Sequence, residues 1–189
     1  MIIMRKEYYF TLKDFTYIAA TVAILYIVAV ITKLTIGAIP IPGMKTIIGA
    51  FFSTIVISIG LMWIRKLGTF TLIMLVYGII SGFIFPAIPF LSLIVIGGLA
   101  GDLTAKLLGA KIPNNIIYED RIRIILACGV CYFVISVVLF YAMIFLGYPT
   151  AILRNDIIFL ISTVCFFLAL LGSSIGVKIA TELRRAGVI

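Results

Sequence analysis

The chain reads as an all-α integral membrane protein, a compact bundle of six transmembrane helices with both termini in the cytoplasm. Three observations predict this class. Apolar residues fill 64% of the 189 positions, with a mean hydropathy of +1.32 and only 12% charged residues. Six apolar runs approach or exceed the ~20 residues that an α-helix needs to cross about 30 Å of hydrocarbon. Basic residues gather in alternate connections only. None of the runs alternates polar with apolar residues, as strands of a membrane barrel do. Backbone amides in lipid have no water partner, so continuous apolar runs of this length must be helices.

The first span, Phe15–Thr35, follows Arg5, Lys6 and Lys13. That order is shared with signal peptides, but the span's length and the five behind it mark a retained helix. The second, Thr46–Trp63, lies between the loop GAIPIPGMK and the pair Arg65–Lys66. The third, Phe70–Pro86, turns tightly through FPAIPF into the fourth, Pro89–Leu108. The longest connection, GAKIPNNIIYEDR, leads to the fifth, Ile122–Leu146, and GYPTAILRND leads to the sixth, Ile157–Ala180. The chain reads as one domain, residues 1–189, without an appended soluble domain.

Charge orients the bundle. With the N-terminus inside, the inner segments hold Arg5, Lys6, Lys13, Arg65, Lys66, Lys106, Lys111, Arg121, Arg123, Lys178, Arg184 and Arg185. The outer ones hold only Lys33, Lys45 and Arg154. That asymmetry is the positive-inside pattern, and it predicts a multi-pass protein of a prokaryotic plasma membrane. The net charge of +8 is thus a topology signal. A nucleic-acid partner is not expected, because the cations flank lipid-embedded helices and form no single face.

Chemistry is sparse. Histidine is absent, which removes the commonest general base and metal ligand. Cys128, Cys131 and Cys165 fall inside apolar spans and read as small packing residues. Neither an enzyme, a metal site nor a cofactor is expected; Asp102 is the most plausible acid were there catalysis. An i,i+4 ion pair with Lys106 is its simpler role. The phosphate-cradling loop G-x-x-x-x-G-K-[ST] is absent, so any active transport must draw power from another subunit or a gradient.

A binding site is expected on the outside. Five of the six prolines stiffen the outer loops. Those loops and the adjoining helix ends gather Lys33, Lys45, Tyr148, Arg154, Asn155 and Asp156, with Tyr141 about two turns below the last loop. Aromatic faces beside a few charged groups suit a small polar ligand. Ser92, Ser136, Ser162 and Thr163 are candidates to line a cavity within the spans. Three cations against one acid favour an anionic or zwitterionic organic solute, since arginine holds a carboxylate or phosphate through paired hydrogen bonds. Small residues recur four apart at Ala19/Ala23, Gly78/Gly82, Gly97/Gly101 and Gly172/Gly176, a spacing that lets helix backbones approach closely in lipid.

Three stretches resemble a known family: LKDFTYIAATVAILYIVA (Leu12–Ala29), IVIGGLAGDLTAKLLGAK (Ile94–Lys111) and GSSIGVKIATELRRAGVI (Gly172–Ile189). With the six-span layout, the chain resembles the substrate-binding S-components of energy-coupling factor (ECF) transporters, above all the Trep-Strep S-component family. The resemblance implies a subunit that captures a vitamin or cofactor precursor near the outer surface. It implies docking on a transmembrane coupling subunit that carries two ATPases, through an alanine pair on the first helix matched by Ala19 and Ala23. Metal-carrying relatives have histidine-bearing N-terminal motifs that this chain lacks, so nickel and cobalt are not expected cargo. The alternative from the residues alone is a stand-alone small secondary carrier or channel.

Overall fold

A computed structural model describes residues 10–36, 44–84, 88–109, 120–145 and 155–187. They form six helices: α1 (Leu12–Ile36), α2 (Met44–Ile64), α3 (Thr69–Ile84), α4 (Ile88–Leu108), α5 (Arg121–Phe145) and α6 (Asn155–Arg185). Each overlaps one expected span, with ends displaced by a few residues. Four are long and apolar enough to cross a membrane: Leu12–Thr35 of α1, and α2, α5 and α6 in full.

The helix ends are set by local chemistry. Thr11 caps α1: its hydroxyl accepts the Asp14 N–H at 3.3 Å, and the Asp14 carboxylate accepts the Thr11 N–H at 2.6 Å. This reciprocal box satisfies two amides that a helix start leaves orphaned. Asp14 also takes a 2.6 Å ion pair from Lys66, just past the end of α2, and so fastens α1 to the α2–α3 turn. Gly68 supplies the carbonyl that starts α3 but has no side chain to cap it. Asp102 of α4 does so instead, accepting the Thr71 N–H at 2.9 Å and the Thr71 hydroxyl at 2.5 Å. Asp102 therefore serves as a cap donated by a neighbouring helix, and the expected Asp102–Lys106 pair is not among the ion pairs of the described residues.

Glycines make the close crossings. A Cβ at Gly172 would meet the Phe51 carbonyl oxygen and the Thr54 hydroxyl; one at Gly176 would meet the Ser58 hydroxyl and the Ile55 carbonyl oxygen. The α6 backbone thus lies directly on α2, in step over one helical turn. Gly97 and Gly101 do the same for α4, against Ile135 and Phe70 and near the Cys131 and Ala127 carbonyls. Cys128, Cys131 and Cys165 are free and buried.

The core occupies one half of the bundle. Ile57, Leu61, Phe70, Ile73, Ile124, Ala127 and Cys128 are fully buried there, joined by Val22 and Val177. The ends of this half carry Lys13, Arg65, Lys66, Lys106, Arg121, Arg123, Lys178, Arg184 and Arg185. We refer to it as the basic end. The outward faces are apolar: Phe159, Leu160, Phe167 and Leu171 on α6, and Ile24, Ile27 and Ile31 on α1, are half exposed or more. Stripes of that kind suit lipid and not water.

Candidate functional site

The other half of the bundle is hollow. A cavity of about 390 Å³ opens between α1, α2, α3 and α5, closed on one side by Ile94 of α4. Each wall follows from helical periodicity. Tyr26, Ala29, Val30 and Lys33 share one face of α1, and Lys45, Gly49 and Ser53 share one face of α2. Met74, Tyr77 and Ser81 line α3, while Tyr132, Ile135 and Leu139 line α5. Gly49 leaves room: a Cβ added there would touch nothing.

The lining is apolar walls with a few placed polar groups, the composition of a small-molecule site. Tyr132 hydrogen-bonds with Ser53 across α5 and α2, and Tyr77 with Ser81 one turn along α3. Thr32 donates its hydroxyl to the Val28 carbonyl at 2.8 Å. No carboxylate is among the described lining residues. The cations stand at the mouth. Lys33 lies in the last turn of α1, where the helix dipole favours a positive charge. Lys45 lies in the first turn of α2, where the dipole opposes one. An anion at that place would meet the Lys45 ammonium. The cavity is therefore suited to an organic molecule with an apolar, ring-sized body and an acidic group at its open end.

The structure brings together Lys33 and Lys45 from the expected site. Tyr141 is half exposed on α5 and does not line the cavity, and Asn155 and Asp156 are exposed in the first turn of α6. Tyr148, Arg154 and the side chain of Ser92 lie outside the described residues. Ser136 and Ser162 bond to each other at 3.2 Å, and Thr163 donates to the Phe159 carbonyl, so none of the three lines the cavity. Ala19 and Ala23 are exposed on α1, on a face that no described helix covers. The tyrosines Tyr26, Tyr77 and Tyr132 and the hydroxyls of Ser53 and Ser81 are wall residues that sequence reasoning missed. Their signal was present: Lys45, Gly49 and Ser53, like Tyr77 and Ser81, recur four apart in otherwise aliphatic helices. Among the described residues no cluster of three or more His, Cys, Asp or Glu could hold a metal ion. No protein-family model, curated protein or solved structure matches the chain.

Proposed function

We propose that this protein is the solute-capture subunit of an ATP-driven importer of the ECF type, spanning a prokaryotic plasma membrane six times with its basic end in the cytoplasm. The observation that carries the reading is the position of the cavity. It lies at the end opposite the cations of the basic end, which positive-inside logic turns outward. Its mouth lysines and tyrosine walls suit an anionic or zwitterionic nutrient, such as a vitamin or cofactor precursor. The exposed Ala19/Ala23 face supports docking on a transmembrane coupling subunit, since small residues let a partner helix approach closely. The missing phosphate loop supports a division of labour in which two partner ATPases supply the power.

The test is reconstitution. Native mass spectrometry of gently purified protein identifies a retained solute, which is then offered to liposomes. The expected result is ATP-dependent uptake when the coupling module is present and none with this chain alone. Gradient-driven flux through the chain by itself favours the carrier reading and ends this one.

A further inference from the structure

Glycine inside a helix is less stable than alanine, because it surrenders more backbone freedom on folding. Elsewhere in this bundle a close crossing offsets that weakness. A Cβ at Gly60 would strike Thr21, one at Gly101 would strike Phe70, and one at Gly176 would strike Ser58. Gly49 has no such crossing. A Cβ there would meet no described atom within 4 Å, and the position opens on the solute cavity. Packing between the described helices therefore does not call for a glycine at this place. Room for a molecule held in the cavity does.

The register of α2 narrows the chemistry of that molecule. Lys45, Gly49 and Ser53 follow one another on a single face, one turn or about 6 Å apart. Lys45 stands at the mouth, and Ser53, bonded to Tyr132, stands deepest of the three. A carboxylate held by Lys45 thus lays the body of its molecule against the bare backbone at Gly49. A planar ring is the shape that a backbone without a side chain admits closely. Tyr26, Tyr77 and Tyr132 supply aromatic neighbours from α1, α3 and α5. Lys33 and Lys45 are the only charged groups among the described lining residues, so an ammonium on the same molecule would find no carboxylate there.

We propose that Gly49 is the contact position for the ring of an aromatic carboxylic acid, whose acid group stands about one helical turn from its ring and which carries no ammonium. The missing side chain sets what the cavity accepts. This deepens the solute-capture reading and rests on it for the use of the cavity as a binding site.

The full chain in uncharged detergent is titrated by calorimetry with indole-3-propionate, whose ring and carboxylate have this spacing. Saturable binding is expected. Octanoate, an acid without a ring, and L-tryptophan, which adds an ammonium to the same frame, are each expected to bind at least about tenfold more weakly. Gly49→Leu abolishes binding, and Gly49→Ala weakens it about fivefold or more, since the added carbons occupy the place of the ring. Both variants keep or raise the thermal midpoint of the solute-free chain, because the new Cβ meets open space and glycine is the poorer helix former. Affinity lost while stability holds is a split that a purely packing glycine cannot give. No saturable binding of indole-3-propionate overturns the inference. So does equal binding of octanoate or L-tryptophan, or binding that Gly49→Leu leaves intact. If Gly49→Leu does not fold, Gly49→Ala decides alone, and full affinity in it overturns the inference. The titrations need no coupling module, so the two readings fail separately. Saturable binding by a chain that gives no ATP-dependent uptake keeps this inference and ends the importer reading. ATP-dependent uptake of a ringless solute, with no binding of indole-3-propionate, does the reverse.

Discussion

The two ends of the bundle are built from the same six helices and the same aliphatic residues, yet one is solid and the other hollow. At the basic end, Leu61, Phe70, Ile73 and Ile124 are fully buried. At the far end, Tyr26, Tyr77 and Tyr132 line a cavity of about 390 Å³. In lipid the difference is mainly one of packing, because an apolar side chain leaving the core meets acyl chains as apolar as itself. The hydrophobic core cluster therefore lies in the basic half and the cavity in the other.

Substitutions that break or sharpen this contrast can be ranked. The largest effect on the fold is expected from Gly176→Leu. Its side chain has nowhere to go between the Ser58 hydroxyl and the Ile55 carbonyl, so destabilisation of about 3 kcal/mol or more is expected. Loss of monodisperse protein, or a sharply lowered thermal midpoint in detergent, checks it; a midpoint equal to the parent's shows that α2 and α6 do not cross there.

Next is Asp102→Ala, which removes the cap on α3 and leaves the buried Thr71 amide without its acceptor. A loss of about 1–2 kcal/mol is expected, with Asp102→Asn retaining part of it through its amide oxygen. Thermal unfolding of the pair of variants decides this, and equal midpoints for both would refute the capping role.

Lys45→Ala acts in the hollow half. Stability is expected to change by less than about 0.5 kcal/mol, because the side chain is exposed and the helix dipole opposes its charge. Affinity for the retained solute is expected to fall about tenfold or more, since a charge-assisted bond is lost. Calorimetric titration with that solute measures it.

The smallest effect on the bundle itself is expected from Ala19→Leu. The position is exposed, so both midpoint and solute affinity should match the parent within error. Uptake in liposomes with the coupling module should drop, because a bulky side chain blocks close helix approach. Unchanged uptake would remove Ala19 from the docking face.

The helices were legible in the sequence because lipid imposes one rule, a long apolar run, that needs no knowledge of the neighbours. α1 covers Leu12–Ile36 where the apolar run predicts Phe15–Thr35, and the three extra residues at its start belong to the Thr11–Asp14 box. The cavity walls were harder to read. Ser53 and Ser136 are both serines in apolar helices, yet one faces the cavity beside Tyr132 and the other bonds to Ser162. Which face a helix turns inward depends on a partner far along the chain. Asp102 makes the same point: its natural local partner is Lys106, four residues on, but Thr71 on a separate helix holds it. Lys33 and Lys45 were accessible to sequence reasoning because charge at the end of an apolar helix stands out whatever its neighbours are.

The placement of α1 ties two surfaces together. This helix packs only against α2 and α3 among the described elements, and meets α2 closely where Gly60 lies against Thr21. It is also the helix that presents Ala19 and Ala23 outward and, beginning one turn later, Tyr26 through Lys33 to the cavity. One continuous helix thus carries both surfaces, and its Ile18, Val22 and Leu25 are buried in the core of the bundle.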